Sequence, residues 1–172
     1  MRQRKEHWVM PETAAASLKV VILGCGRVGS TLAKQMSQEG HAVSVVDLTR
    51  DSFRRLGTKF TGQKIVGTGL DQDTLRKAGV ESADVFIAVS PGDNTNVMAA
   101  QIAREVFGIA RVIARVYDPI RAQAYREMGI ETLCTTTLAA GMMRAYALET
   151  SDGDALRKSA LGWDKVYLEQ VK

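Results

Sequence analysis

The chain has 172 residues, enough for about one domain built round one substantial core. Its composition, 45% hydrophobic and 24% charged, is ordinary for a soluble protein, and no apolar run reaches the roughly 20 residues that span a bilayer. The formal net charge of +4 comes from mixed signs along most of the chain, without the long basic stripe and adjacent aromatics that nucleic-acid binding requires.

Residues 1–17 read as a polar tail. Arg2, Arg4 and Lys5 make it basic, but it has no apolar h-region, so it is not a signal peptide and the chain is expected in the cytoplasm. A second basic cluster is the trio Arg50, Arg54 and Arg55. Cys25 and Cys134 form neither a CxxC pair nor a Cys/His group, so no zinc site is expected.

From Leu18 onward, short apolar runs alternate with longer amphipathic segments. Leu18–Leu23 reads as a strand apolar on both faces. A helix over Val28–Gln38 follows, then a strand over Ala42–Val46. The next helix is placed at Asp51–Lys59, with Asp51 or Thr49 as N-cap, and the third strand at Lys64–Val66. Asp71–Lys77 reads as a short helix closed by Gly79. Val85–Val89 is the fourth strand, Asn94–Phe107 a long helix stopped by Gly108, and Val112–Val116 the fifth strand. Pro119–Met128 is a helix with proline at its start, ended by Gly129. Ile130–Leu133 is a short sixth strand and Thr137–Leu148 a last helix. The pattern predicts an α/β fold: a Rossmann-like, doubly wound parallel sheet of six strands with helices on both faces. It occupies residues 18–149. Residues 150–172 read as a linker and a short extension, with room for a short helix and a strand near Val166–Leu168.

Gly24-Cys25-Gly26-Arg27-Val28-Gly29 carries the chemistry. It is G-x-G-x-x-G placed between a strand and a helix. Gly24 permits the tight turn, Gly26 lets backbone approach a phosphate, and Gly29 lets the helix pack closely on the strand. The helix N-terminus turns N–H groups and partial positive charge toward an anion. Asp47 ends the second strand, about 20 residues on, where a carboxylate accepts hydrogen bonds from ribose hydroxyls. Its charge disfavours a 2′-phosphate, with Arg50 as a partial offset. Arg27 is placed to reach a di- or triphosphate. Cys25 reads as a small residue in a tight turn, with a helix-end thiolate as the alternative. Gly67-Thr68-Gly69, Ser90-Pro91-Gly92 and Arg115 follow the third, fourth and fifth strands and outline one crevice at the carboxyl edge.

The usual proton donors of nicotinamide enzymes are missing: only His7 and His41 occur, and no Tyr-x-x-x-Lys pair. A nucleotide site without such groups reads as a sensor rather than as an active site. An NAD-dependent oxidoreductase is the alternative and would need a catalytic group from a partner chain. A methyltransferase fits the glycine spacing and Arg27 less well.

The glycine motif, Asp47, Gly67-Thr68-Gly69, Ala78-Gly79-Val80 with Ala83-Asp84, and Ser90-Pro91-Gly92-Asp93-Asn94-Thr95-Asn96 together resemble the RCK or KTN domain, also called TrkA-N, of Trk/Ktr-type potassium uptake systems and ligand-gated potassium channels. The resemblance runs from about Lys19 to Leu148. It implies a non-enzymatic regulatory subunit that binds NAD(H) or an adenine nucleotide (ATP, ADP or AMP) and gates a membrane potassium transporter or channel. It implies a homodimer or an octameric ring, held at the inner face of the membrane by that partner. Carried over by position, Gly24, Gly26, Arg27, Val28 and Gly29 meet phosphates, and Asp47 and Leu48 hold the ribose. Gly67 and Thr68 flank the adenine, while Ser90, Pro91 and Arg115 close the site. Thr68 departs from the family, where many relatives have Asp. Arg115 and Tyr117 stand where calcium-gated relatives carry acids, so no metal is expected. The C-terminal ligand domain often appended is expected to be absent or cut short.

Overall fold

The inner strands of a six-stranded parallel sheet are largely apolar, because strands covered by helices on both faces gain from apolar side chains on each, while the edge strands Gln63–Val66 and Glu131–Cys134 keep exposed polar residues. The computed structural model describes residues 17–147. In chain order, β1 (Lys19–Leu23) leads to α1 (Arg27–Gln38) and β2 (Ala42–Asp47). A 3-10 helix (Arg50–Leu56) connects to β3 (Gln63–Val66), then α2 (Gln72–Lys77) and a short 3-10 turn (Val80–Ser82) lead to β4 (Val85–Ala88). The second half runs α3 (Asp93–Gln101), a π turn (Ile102–Val106), β5 (Arg111–Val116), α4 (Pro119–Glu127), β6 (Glu131–Cys134) and α5 (Thr135–Ala147).

The sheet order is β3-β2-β1-β4-β5-β6, the doubly wound order expected. Val20 of β1 lies beside Val43 of β2 and Val85 of β4, and Leu23 beside Val46 and Ala88. The chain winds one way from β1 and then the other from β4. A crevice therefore opens at their carboxyl ends, where the connections diverge.

Alternate residues of the four inner strands feed two core layers. Val20, Ile22, Val43, Val45, Val85 and Ile87 pack with Ala33 of α1 and with Phe53 and Leu56 of the 3-10 helix. Val21, Leu23, Val46, Phe86, Ala88 and Ala114 pack on the other face with Leu75 of α2, Ala99 of α3, Ala103 of the π turn and Ala122 of α4. Both layers support the glycine loop, since Leu23 and Cys25 belong to opposite ones.

Local geometry departs from the sequence reading in four places. The helix expected at Asp51–Lys59 is the 3-10 helix Arg50–Leu56, stopped by Gly57 at φ +72°. Neither proposed cap acts there: Thr49 makes no side-chain cap bond, and Asp51 pairs with Arg54 at 2.8 Å. The long helix expected at Asn94–Phe107 turns from α to π at Ile102, where Phe107 N–H reaches back to the Ile102 carbonyl at 3.3 Å. Asp71 precedes its helix rather than belonging to it, and its carboxylate caps the N–H groups of Asp73 and Thr74. The last helix starts two residues early, at Thr135. The apolar stretch Val166–Leu168 and the extension over 150–172 lie outside the described residues.

Gly29 fixes how closely α1 approaches β1. A Cβ there would collide with the Gly24 carbonyl oxygen and come within 3.1 Å of Val89 Cγ2. Alanine gains about 1 kcal/mol over glycine in a helix interior, but overpacking against fixed backbone costs about 1–3 kcal/mol or more. Gly29→Ala is therefore expected to destabilise by about 1–2 kcal/mol in chemical denaturation, against its helix propensity.

Candidate functional site

The cleft at the sheet's reversal point has a volume of about 780 Å³. One wall is the glycine loop and the start of α1. Gly24 takes φ +102°, and a side chain there would come within 2.8 Å of the Ser90 backbone N, so the turn admits only glycine. Gly26 differs. Its backbone is extended (φ −72°, ψ −166°), and a Cβ would meet nothing within 4 Å. The protein itself does not require glycine at this position; the space is left for something else.

That space lies at the N-terminus of α1, which has no side-chain cap and no acidic residue in its first turn. Three other helices meet this need themselves. Asp71 caps α2 and Asp118 caps α4. α3 has Asp93 in its first turn. Only α1, among these four, leaves its first-turn N–H groups and partial positive charge without an acid of its own.

The floor carries Asp47, half-buried at the end of β2. One carboxylate oxygen accepts the Cys25 N–H at 2.7 Å and the other the Thr49 N–H at 2.9 Å. These bonds orient the group and leave each oxygen a further lone pair.

The far wall is Ser90, Pro91 and Arg115. Arg115 is 8% exposed, and no carboxylate among the described residues pairs with it. Its Nη2 donates to the Ser90 carbonyl at 2.6 Å, its guanidinium lies 4.4 Å from the centre of the Tyr117 ring, and its Nε has no partner. A buried cation held only by a carbonyl and an aromatic face retains a strong attraction for an anion. Asn96, fully buried, fixes this wall. Its Oδ1 accepts the Ser90 N–H at 2.8 Å and the Ser90 hydroxyl at 2.7 Å. Its Nδ2 donates to the carbonyls of Ser90 at 2.9 Å and Arg115 at 3.0 Å.

Of the residues expected at the site, Gly24, Gly26, Arg27, Val28, Asp47, Leu48, Thr68, Ser90, Pro91 and Arg115 line this one cleft. Gly29 and Gly67 do not. Gly29 is the packing glycine described above. Gly67 faces Thr74 of α2, whose side chain would meet a Cβ at 2.6 Å, and Gly69 takes the place on the cleft wall. Arg50 also lies elsewhere, beside Arg54 and Lys64, and of the trio Arg50, Arg54 and Arg55 it is Arg55 that joins Arg27 and Arg115 in the cleft lining. Side chains three apart eclipse in a 3-10 helix, so Ser52 and Arg55 share the cleft face. Thr49 and Tyr117 also line the cleft without having been assigned to it, as does Thr95 of the motif after β4. The two-residue spacing from Arg115 along β5 was the available signal for Tyr117. Among the described residues no cluster suited to a metal ion occurs, and no helix is long and apolar enough to cross a membrane.

Cys25 is a small buried residue of the turn rather than a helix-end thiolate. Its Sγ donates to the Ser52 carbonyl at 3.4 Å. Burial, then the charge of Asp47, pushes the thiol up to about 11 from its ordinary 9.0, against opposing pulls from Arg55, Lys64 and Lys34. Between those values the unfolded chain loses this proton while the folded chain keeps it. The unfolded state then binds fewer protons, so this contribution is complete below pH 9 and is lost as pH rises toward 11. Urea midpoints of wild type and Cys25→Ala are expected to converge between pH 8 and about pH 10.5.

A family model described as the TrkA-N domain matches residues 20–136. The Trk system potassium uptake protein TrkA of Streptomyces coelicolor is 53% identical over 126 residues, covering 73% of this chain and 56% of that protein. The protein of the same name from Halomonas elongata is 41% identical over 108 residues, covering 63% of this chain and 23% of that one. The chain thus spans little more than half the length of the first relative and under a quarter of the second. The Shewanella denitrificans Kef CTD in AMP-bound form shares the fold with a TM-score of 0.69 at 20% identity, over 89% of this chain and 97% of that one. The GsuK channel bound to NAD does so with a TM-score of 0.61 at 20% identity, over 78% of this chain and 24% of that one.

Proposed function

The chain belongs to the TrkA-N domain family, and from that premise we propose that it is a cytoplasmic nucleotide sensor that regulates a membrane potassium transporter or channel. One observation carries the reading: a helix N-terminus without its own acid and a buried arginine without an acidic partner line the same cleft as an oriented carboxylate. The first two attract phosphate and the third accepts from a ribose. The Kef and GsuK structures, which share the fold, are described as bound to AMP and to NAD.

In this reading Gly26, Arg27 and Val28 receive a diphosphate on their backbone N–H groups, each such contact contributing about 0.3–1 kcal/mol through the helix dipole, more when partly buried. Asp47 holds the adenosine ribose, with Leu48 against the sugar, and Thr68 and Gly69 flank the base. Arg115 with Ser90 and Pro91 closes the far end. The ligand is NAD(H) or ATP, ADP or AMP. The charged and titratable side chains lining the cleft are Arg27, Asp47, Arg55, Arg115 and Tyr117. None is a histidine or lysine placed to move a proton, which supports binding over turnover.

Regulation requires that ligand bind two states unequally. A route is available. A phosphate that draws Arg115 off the Ser90 carbonyl acts, through Asn96, on the N-terminus of α3. Met98 of α3, Ile120 of α4 and Met142 and Met143 of α5 present exposed apolar side chains, which supports pairing of two copies through these helices. The nucleotide domain runs over residues 18–149, and the membrane partner is a potassium transporter subunit.

Calorimetry with NAD⁺, NADH, ATP, ADP and AMP is expected to show micromolar binding of at least one, weakened tenfold or more in Asp47→Ala, since two ribose hydrogen bonds to a charged acceptor contribute about 1.5–3 kcal/mol each. Potassium flux through the co-reconstituted membrane subunit should respond to that same nucleotide in wild type and not in the variant. Binding of none of the five contradicts the proposal.

A further inference from the structure

Beside the cleft, a groove of about 520 Å³ runs between the later turns of α1, the end of the 3-10 helix and the loop into β3. Its charged residues are Lys34, Arg55 and Lys59, and no acidic side chain lines it. Thr58 and Thr61 add hydroxyl groups able to donate hydrogen bonds.

Some cations elsewhere have acidic partners. Arg54 pairs with Asp51 at 2.8 Å, and Arg76 with Asp73 at 3.0 Å and Glu81 at 3.2 Å. Lys34, Arg55 and Lys59 have no such partner among the described residues. From residue 26 to residue 66 seven Lys and Arg stand against three Asp and Glu, an excess equal to the whole chain's formal +4. Of those three acids, Asp47 is oriented in the cleft and Asp51 is paired with Arg54. Unscreened cations converging on one concavity repel one another and concentrate counter-anions there.

Arg55 belongs to both places: it lines the groove and the cleft. The positive field of Arg55 and Lys34 also reaches the glycine loop, where both favour the anionic form of buried Cys25.

We propose that this groove is a second binding site, for a phosphate-bearing anion, and that Arg55 couples it to the cleft. The groove stands on its own residues; the coupling rests on the nucleotide reading of the cleft. Its sign follows from charge. Arg55 cannot neutralise two anions at once, and each anion repels the other, so occupancy of one site weakens the other by the same factor in both directions. The phosphate is either that of a soluble compound or that of an anionic lipid headgroup.

Residue-resolved amide NMR of the full 172-residue chain, titrated with inorganic pyrophosphate, tests this. The Gly57, Thr58 and Thr61 amides are expected to shift. In the double variant Lys34→Ala/Lys59→Ala the midpoint should rise about tenfold, as for loss of two charge-assisted contacts, while the Gly26–Val28 amides still respond. With ADP bound, the wild-type midpoint should rise severalfold. If the groove amides stay still but phosphatidic acid vesicles sediment the wild type and not the variant, the headgroup is the source of the phosphate. Still amides without vesicle binding, or equal midpoints in wild type and variant, overturn the site. Equal midpoints with and without bound ADP overturn the coupling. A Gly24–Val28 segment that ignores NAD⁺, NADH, ATP, ADP and AMP alike sinks the nucleotide reading alone, and leaves the groove result intact.

Discussion

The first turn of α1 carries a partial positive charge that the protein does not answer, and the rest of the site is arranged around that omission. An aspartate beginning α1 would have been the ordinary solution, as at Asp71 and Asp118. The chain places glycine there instead, in a backbone conformation open to any residue and beside open space. Stability given up at a helix end is available to a ligand that brings negative charge. Gly24 and Gly29 do the complementary work: they bring the turn against Ser90 and α1 against the Gly24 carbonyl, so the free N–H groups stand at the crevice between β1 and β4.

The opposite wall is held by buried polar contacts rather than by apolar packing. Asn96 uses both ends of its amide on Ser90 and on the carbonyl of Arg115. Losing such a residue strands several buried polar groups at about 1–3 kcal/mol each. This satisfied network surrounds one unsatisfied group, the Arg115 Nε, in a side chain whose charge meets no acid. The two walls thus share one property, a deficit of negative charge, and between them lies Asp47, its carboxylate oriented by the N–H groups of Cys25 and Thr49.

The sheet order and the glycine loop were legible because their physical reasons act within a few residues. Continuous apolar runs need helices on both faces, and three glycines at fixed spacing answer three separate steric demands. Asp47 was legible from its place at a strand end. What escaped depends on helix type and on tertiary neighbours. Arg50 read only as a partial offset to the charge of Asp47, and Arg55 was not singled out for the cleft; the segment winds as a 3-10 helix that sets Arg55 at the cleft's edge. Gly67 and Gly69 are indistinguishable as letters. Only Thr74 on one side and Leu23 on the other decide which packs and which lines the cleft. Asn96 was visible as part of a family motif, yet its task appears only when the β4 end and β5 stand side by side.

The affinity advantage of ADP over adenosine, measured by calorimetry in wild type and in Gly26→Val, tests the central claim most directly. Valine at this position meets no protein atom within 4 Å of its Cβ and needs no forbidden backbone angle, so the variant should fold as the wild type does. If the uncapped helix end holds the diphosphate, ADP should lose its advantage in the variant while adenosine binding through Asp47 persists. An ADP advantage unchanged by valine would contradict the account, and would place the phosphates somewhere other than the start of α1.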